Sequence, residues 1–173
     1  EVIHRLRGML QKRDHVVSET IDVNEVAQDV ARLLNSEANT RNMEVVLHLA
    51  ADLPPARAGR VEMQQVLLNL MVNGMDAMRD QPAGARRVTV ATGLTGDHVR
   101  VTVSDTGPGI PEALLADIFR PFFTTKEQGL GMGLALSRSL VEAYAGTLAA
   151  ENQPGGGALF TVALRAVRDA QPS

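Results

Sequence analysis

The sequence predicts an α+β fold, a two-layer α/β sandwich in which helices cover one face of a mixed, largely antiparallel sheet. Three observations predict it. Stretches with apolar residues at helical spacing are interspersed with stretches of apolar–polar alternation. Short turns join the strands of the second half, which makes antiparallel pairs. The chain has 173 residues, 45% of them hydrophobic, so it can bury the core of one domain.

The first half of the chain predicts helices and short strands. Asp22, followed three residues later by Glu25, resembles a capping box and begins a helix. Pro54 and Pro55 indicate a loop. In chain order we expect a basic amphipathic helix (1–16), a short strand (16–21), a helix from Asp22 to about Asn39, a strand (44–49) and a loop (52–59).

The second half begins with a helix from Arg60 to about Asp80, whose apolar face is rich in Leu and Met. Pro111 suits the first position of a later helix. We then expect a hairpin of strands 88–92 and 98–104 around 95–97, a helix from Pro111 through Ile118, a loop (119–130), a helix (131–144), strands 147–151 and 158–164 around a glycine-rich turn, and a frayed tail (165–173).

Charge and composition exclude several classes of protein. The formal net charge is −3, whereas nucleic-acid-binding proteins are usually basic, so we expect no nucleic-acid partner. The chain has no cysteine, which excludes disulfides and thiol chemistry and fits a cytoplasmic location. No apolar run is long enough to span a bilayer, so we expect no direct membrane contact by this chain. Because the chain opens in a helical pattern, we expect a fragment of a longer protein, which could itself be anchored in a membrane.

Asp105 ends a predicted strand and is followed by a turn that contains two glycines and two prolines. A carboxylate accepts hydrogen bonds and does not donate them, so Asp105 could select an amino-bearing ring such as adenine. Gly107 and Gly109 allow a ligand to approach the backbone closely. The same stretch is also compatible with an ordinary hairpin turn in which Asp105 bonds to its own backbone.

Polar residues follow one face of the helix that begins at Arg60. Asn69, Asn73 and Asp76 are spaced by four and three residues, which places them on one side. An Asn carbonyl oxygen is a suitable ligand for Mg²⁺, and its amide can donate to phosphate. The alternative is a solvent-facing polar stripe. Two Asn and Gly74 are poor helix formers, so we favour a functional role.

A glycine-rich segment, 129–133, leads directly into a predicted helix. Free backbone N–H groups at a helix N-terminus favour an anion such as phosphate. Lys126, just before the glycines, could reach a terminal phosphate. The alternative is a flexible hinge. The preceding loop, 119–130, could form a lid, with core packing expected for at least one of its three Phe.

These motifs occur together in an order that resembles the Bergerat-type ATP-binding domain of sensor histidine kinases. QVLLNLMVNGMDAM (65–78) resembles its N box and DTGPG (105–109) its G1 box. The F box corresponds to 119–123, and GLGMG (129–133) resembles the G2 box. The resemblance covers 60–164, and the PFFTTK and DAM variants are similar to the nitrogen-regulation and oxygen-sensing subgroup.

The resemblance implies that the domain binds ATP and Mg²⁺. Asp105 would bind the adenine amino group, Asn73 would hold Mg²⁺, and Asn69 would lie beside the phosphates. Asn69, Asn73 and Lys126 are therefore the expected catalytic residues. The remaining nucleotide contacts would come from Asp76, Gly107, Gly109, Ile110, Gly129, Gly131, Met132, Gly133, Leu134 and Thr161.

The phosphoacceptor motif of the family, a His followed directly by an acidic residue, is absent, because His4 precedes Arg5 and His15 precedes Val16. The resemblance therefore implies that 1–16 ends a dimerisation-domain helix, that 17–165 is the catalytic ATP-binding domain, and that 166–173 is a disordered tail. The implied partners are the dimerisation domain, which carries the His, and a response regulator with an acceptor Asp. The isolated chain is expected to be a monomer.

Two other functions remain open at this stage. One is a Bergerat-type ATPase of the gyrase or mismatch-repair kind, in which a general-base Glu occupies the position of Asn69. An amide cannot accept a proton as that Glu does, which argues against strong hydrolysis. The other is a nucleotide-regulated interaction module without catalysis. Two departures from the family pattern concern local details: Ala158 replaces a frequent Thr, and Gly59 replaces a frequent Asp.

Overall fold

The computed structural model of the chain describes residues 19–126 and 129–168. The helix expected over 1–16 therefore lies outside the described residues. The elements in chain order are β1 (Glu19–Ile21), α1 (Val23–Thr40), β2 (Glu44–His48), β3 (Ala56–Ala58), α2 (Arg60–Ala77), β4 (Arg87–Thr95), β5 (His98–Asp105), a 3₁₀ turn (Glu112–Leu114), α3 (Gly133–Glu142), β6 (Thr147–Asn152) and β7 (Ala158–Arg165).

The main sheet has five strands in the order β2-β4-β5-β7-β6. Only β2 runs parallel to its neighbour, β4, while the other three pairings in this sheet are antiparallel. β1 and β3 form a separate antiparallel pair. The predicted α+β class with a mixed, largely antiparallel sheet is confirmed.

The core lies between one face of this sheet and the helices. Alternate residues of β5 are buried, among them Val99, Val101 and Val103, and they face the same side as Val88 and Val90 of β4. The helices supply the other half of the core. Leu, Met and Val therefore fill an interior that has few aromatic residues, with α2 contributing Met63, Val66, Leu67, Leu70, Met71 and Met75.

Asp22 caps α1, as its position in the sequence predicts. Its Oδ1 accepts hydrogen bonds from the backbone N–H of Asn24 (2.8 Å) and Glu25 (3.3 Å). The Glu25 carboxylate instead pairs with Arg60 at the start of α2, at 3.1 Å. Arg60 also contacts Asp29 of α1 at 2.6 Å, so ion pairs join the two helices at this end.

Two expectations about elements inside the domain are wrong. The loop expected over 52–59 contains β3, whose three residues alternate buried, exposed and buried against β1. The helix expected from Pro111 through Ile118 is only a 3₁₀ turn followed by further turns. Pro111 itself is extended, with φ −52° and ψ 130°, and precedes the turn. Among the apolar side chains of the segment 111–118, only that of Ile118 is fully buried, so little tertiary packing supports a regular helix there.

The frayed tail does not begin at residue 165 as expected. Arg165 ends β7, and Ala166 forms an antiparallel bridge with Ala56 of β3. The N–H of Val167 donates to the carbonyl of Pro55 at 2.7 Å. Residues 169–173 of the expected tail lie outside the described part of the chain.

Candidate functional site

Asp105 is the last residue of β5, and only 5% of its surface is exposed. Its Oδ1 accepts hydrogen bonds from the N–H of Gly107 (2.8 Å) and of Ala158 (3.4 Å). Among the described residues no donor bonds to Oδ2, which lies toward Gly74 of α2. Burial raises the pKa of this carboxyl, and the two backbone hydrogen bonds only partly oppose the rise. Oδ2 is therefore a recessed acceptor that can receive a hydrogen bond from the amine of a ligand.

Glycines, which have no side chain, create the space around the carboxylate of Asp105. A Cβ on Gly74 would lie 3.3 Å from the Cβ of Asp105, so glycine lets α2 approach the end of β5. Gly157 has φ +88°, and a Cβ there would lie 1.9 Å from the carbonyl oxygen of Asp105. Gly109 has φ +80° and packs against Asn152. Sequence reasoning missed Gly157, although the run of three glycines is a visible turn signal.

Asn152 is a second residue that sequence reasoning missed. Its side-chain oxygen accepts the N–H of Ile110 (2.8 Å), and its amide donates to the carbonyl of Ile110 (2.6 Å). This pair of hydrogen bonds fixes the backbone after Gly109 to the end of β6. Ile110 is half-buried against the core, beside the turn that follows Asp105.

The assignment of Thr161 to the adenine pocket is wrong. Thr161 pairs with Thr102 of β5, and both alternate with buried residues of their strands. Its side chain therefore points to the face of the sheet opposite the helices, whereas Asp105 shares the helix-covered face. The residue of β7 that reaches Asp105 is Ala158, through its N–H.

The polar face of α2 meets the N-terminus of α3. Asn69 donates from its amide to the hydroxyl of Ser137 in α3, at 3.0 Å. A Cβ on Gly133 would lie 2.5 Å from Oδ1 of Asn69, so only glycine allows this contact without a shift. Ser137 was not predicted, and its only signal in the sequence is its position one helical turn after Gly133. Asn69 thus lies directly beside the beginning of α3.

The beginning of α3 has the features of an anion site. Its N-cap residue is Met132, and no side-chain hydrogen bond caps the helix there. Gly131 has φ +66° and lies against the backbone of Phe122 and Phe123. The first backbone N–H groups of α3, among them those of Gly133 and Leu134, have no acceptor within the helix. They can therefore donate to a bound anion. Gly129 precedes them and is bonded through its N–H to the carbonyl of Lys126, at 3.3 Å.

Lys126 brings the loop to α2. Its ammonium donates to Oδ1 of Asn73 at 3.2 Å and to Oδ2 of Asp76 at 2.6 Å. Arg41, which sequence reasoning missed because nothing in its local pattern marks it, contacts Oδ1 of Asp76 at 2.8 Å. Burial raises the pKa of Asp76, but the hydrogen bonds from Lys126 and Arg41 outweigh it, so the pKa lies below its ordinary value. The structure thus brings together Asn73, Asp76 and Lys126.

The side-chain oxygen of Asn73, beside the carboxylate of Asp76, fits a divalent cation that is shared with a ligand. The Lys126 ammonium already contacts one oxygen of each residue, which shows that the pair faces a positive charge. Among residues 19–126 and 129–168, no group of three or more His, Cys, Asp or Glu side chains forms a metal cage. A bound Mg²⁺ would therefore take its other ligands from phosphate and water, as Mg²⁺ commonly does.

The Phe-rich loop divides its aromatic side chains between core and solvent. Phe119 packs edge-on against Phe160 of β7, with 6.4 Å between ring centroids, and lies under Arg138 of α3. The expected core role of at least one Phe is confirmed. Phe122 is 74% exposed and has φ +66°, an unusual conformation for an aromatic residue.

The chain matches the family model described as histidine kinase-, DNA gyrase B- and HSP90-like ATPase over residues 58–168. It is similar to the C4-dicarboxylate transport sensor protein DctS of Rhodobacter capsulatus, with 34% identity over 172 residues, 99% of this chain and 26% of that protein. The chain therefore spans about a quarter of the length of this relative.

Solved structures that resemble this fold include two histidine kinases. The nucleotide-free catalytic domain of histidine kinase ThkA has a TM-score of 0.77 and 29% identity, over 86% of this chain and 95% of that one. Full-length ShkA in complex with AMPPNP has a TM-score of 0.82 and 27% identity, over 98% of this chain and 35% of that one.

Within the described residues, no helix combines the length and the apolarity needed to cross a bilayer.

The family match covers the arrangement from the start of α2 to the end of β7, including the recessed acceptor at Asp105, the polar face of α2 and the uncapped start of α3. The chain therefore belongs to the family of histidine kinase-, DNA gyrase B- and HSP90-like ATPases, as an ATP-binding catalytic domain of the sensor histidine kinase type.

Proposed function

We propose that this domain binds Mg-ATP and transfers its γ-phosphoryl group to a His on a dimerisation domain outside this chain. The phosphoryl group would pass from there to an Asp of a response regulator. The imidazole nitrogen attacks the γ-phosphorus, the bond from this phosphorus to the βγ-bridging oxygen breaks, and ADP leaves. Such reactions depend on positioning and on charge stabilisation rather than on covalent chemistry by the protein.

One observation carries the proposal: α2 borders the contacts for both ends of a nucleotide, with Gly74 beside the carboxylate of Asp105 and Asn69 beside the start of α3. Gly74 leaves room at the carboxylate of Asp105, which would accept a hydrogen bond from the adenine amine. Asn69, five residues earlier, touches the start of α3, where N–H groups would receive phosphate oxygens. Asn73 lies between them and would hold Mg²⁺, which neutralises phosphate charge. The base and the phosphates would therefore both lie beside α2.

The amide at position 69 favours transfer over hydrolysis. Its Nδ2 is used to donate to Ser137, and no carboxylate bonds to it among the described residues. A water molecule beside the γ-phosphate would therefore lack a general base at this position. An external His supplies its own nucleophilic nitrogen, and the acidic residue that follows it in the family motif would accept its proton, so that no base is needed at position 69. We expect slow steady hydrolysis of ATP by the domain alone.

The proposal includes the surroundings of the domain. Residues 1–16 would belong to the dimerisation domain, and 17–165 would form the catalytic unit, a monomer when isolated. The reaction would take place in the cytoplasm, where ATP is available, whether or not the parent protein is anchored in a membrane. No nucleic acid takes part.

A mixing experiment tests this function. The purified chain is combined with a separate dimerisation domain of the same kinase and with ATP labelled at the γ-phosphate. We expect acid-labile, base-stable label on the dimerisation domain, as is typical of phosphohistidine. Absence of label on that domain would contradict the proposal, and rapid release of labelled phosphate without the domain would favour a hydrolase instead.

A matched pair of variants refines the result. Asn73→Ala removes the proposed Mg²⁺ ligand from α2, whereas Asn35→Ala removes an exposed Asn from α1. We expect the label to be lost with Asn73→Ala and retained with Asn35→Ala. Equal transfer by both variants would remove Asn73 from the site.

A further inference from the structure

Asp76 occupies an unfavourable position for a carboxylate. It is the second-last residue of α2, where the helix dipole places partial negative charge. Its side chain is only 19% exposed, so solvent does little to compensate. Arg41 and Lys126 provide the compensation, each through a separate carboxylate oxygen. The negative charge of Asp76 is therefore balanced by two cations of this chain.

These two cations are held in different ways. Arg41 is the C-cap residue of α1, and its carbonyl accepts a hydrogen bond from Arg86 at 2.9 Å. The guanidinium of Arg41 is also fixed by Glu37, one turn earlier in α1, at 2.6 Å. Lys126 lies in the loop before α3, and 46% of its side chain is exposed. Arg41 is thus anchored at both its backbone and its side chain, whereas Lys126 is free to change partners.

The position of Lys126 conflicts with the proposed binding of Mg-ATP. Its ammonium contacts Oδ1 of Asn73, which is the oxygen expected to bind Mg²⁺. The ammonium must therefore leave this oxygen when the metal and the phosphates arrive. After it has left, Asp76 retains only Arg41, and an uncompensated carboxylate at this point would repel the phosphate chain.

We propose that Arg41 is a positioning residue for the phosphate chain of the nucleotide, which it influences through Asp76. This inference rests on the proposed function. Arg41 holds Oδ1 of Asp76 and balances its charge, so that Lys126 is held by Oδ2 weakly enough to exchange onto phosphate. Without Arg41, Asp76 would bind Lys126 more tightly and would repel the triphosphate. Both effects weaken binding of phosphates and leave binding of the adenine ring unchanged.

The test compares Arg41→Gln with Arg60→Gln by calorimetry, with ATP and with adenosine, in the presence of Mg²⁺. Both arginines join α1 to α2, but Arg60 does so at the other end of the helices, through Glu25 and Asp29. We expect Arg41→Gln to weaken ATP by about tenfold, the effect of one nearby charge, and to leave adenosine unchanged. Arg60→Gln should change neither affinity, and Arg41→Lys should restore part of the affinity for ATP.

A double variant completes the test. In an Asp76→Asn background, Arg41→Gln should cause no further loss of ATP affinity, because the charge that Arg41 balances is already gone. An equal loss of ATP and adenosine with Arg41→Gln would show a merely structural role and overturn the inference. An unchanged ATP affinity in Arg41→Gln would also overturn the inference. So would a full additional loss of ATP affinity when Arg41→Gln is added to Asp76→Asn. If the unsubstituted chain binds neither ligand, the proposed function fails instead.

Discussion

At the scale of single residues, Asp105 combines two requirements that conflict. It must be buried to form a specific acceptor, and burial raises the pKa of its carboxyl by disfavouring the charged form. The N–H groups of Gly107 and Ala158 both bond to Oδ1, which keeps the side chain in one orientation. Oδ2 then remains for the ligand. The position serves binding and costs the folded protein some stability.

The first prediction concerns Asp105→Asn. The amide oxygen can still accept the two backbone hydrogen bonds, but its NH₂ group would take the place of Oδ2 and face the donor of the ligand. We expect ATP affinity to fall at least tenfold, because a hydrogen bond to a charged group contributes about 1.5–3 kcal/mol. The melting temperature should not fall, because a buried charge is removed. Calorimetry and thermal unfolding measure the two effects.

The control for this variant is Asp97→Asn in the turn between β4 and β5. Asp97 is 54% exposed and pairs with His98 and Arg165 away from the site. The Asp97→Asn variant should leave ATP affinity unchanged. Wild-type affinity in Asp105→Asn would exclude this carboxylate from the binding site.

The raised pKa of Asp105 also predicts how ATP binding depends on pH. Only the ionised form accepts a hydrogen bond at both oxygens, so affinity should fall as the pH is lowered through the pKa of Asp105. Because burial raises this pKa above that of an ordinary Asp, the loss should occur at a higher pH than for an exposed Asp. The same raised pKa means that Asp105 reduces the stability of the fold progressively as the pH rises from the ordinary pKa of Asp through the raised one. ATP affinity of Asp105→Asn, measured over the same pH range, should lack the fall that protonation of Asp105 causes. A pH profile identical to that of the unsubstituted chain would contradict the assignment of Asp105 to the site.

At the scale of elements, α2 determines the geometry of the site. Its buried side packs into the core and approaches the end of β5 at Gly74, while its polar residues contact α3 and the loop that carries Lys126. Gly74 explains an apparent weakness of this helix. Glycine costs about 1 kcal/mol relative to Ala in a helix interior. Here it permits close contact with Asp105.

Gly74→Ala therefore separates folding from binding. The new Cβ would lie 3.3 Å from the Cβ of Asp105 and 3.5 Å from Val88, so the carboxylate must shift by a few tenths of an ångström. We expect weaker ATP binding with a change of less than about 1 kcal/mol in unfolding free energy, because the gain in helix propensity offsets the crowding. Gly93→Ala, where a Cβ meets nothing within 4 Å, is the matched control. Denaturant titration and calorimetry measure both quantities, and equal ATP affinity in the two variants would contradict the proposed contact.

The elements also show what the sequence can predict. Asn69, Asn73 and Asp76 were predictable because helical periodicity alone places them on one face. Thr161 was assigned to the adenine pocket from the resemblance alone, whereas the alternation of Phe160 and Val162 in β7 places it on the opposite face of the sheet. The segment after Pro111 carries a helix signal that too little buried surface supports. Arg41 could not be found, because its role depends on the distance between the ends of α1 and α2.

At the scale of the whole molecule, the core and the site occupy different regions. The buried residues form one cluster between the sheet and the helices, whereas the polar site lies where the end of β5, the C-terminal half of α2 and the start of α3 meet. Nearly all buried residues are apolar, with Asp105 and Ser137 as the buried polar ones in the described part of the chain. The domain therefore has a core that does not depend on a ligand for its packing.

This separation predicts a simple response to nucleotide. The chain should fold without ATP, and its stability should rise with ligand concentration as RT ln(1 + [L]/Kd), about 2.7 kcal/mol at 100 times Kd. Thermal unfolding with increasing Mg-ATP should therefore show a rising melting temperature. Asp105→Asn should reduce the rise at the same ligand concentrations. A melting temperature that stays constant at millimolar Mg-ATP would contradict nucleotide binding.

The small β1–β3 pair has a consequence for how the polypeptide can be connected. Ala56 has Ile21 on one side and Ala166 on the other, so the incoming and outgoing segments of the domain lie about 10 Å apart, two strand spacings. A short linker could join them, and new termini could be opened at the exposed bend around Gly96. Such a circularly permuted protein should keep its tertiary structure, which makes this fold suitable for insertion into an unrelated host protein.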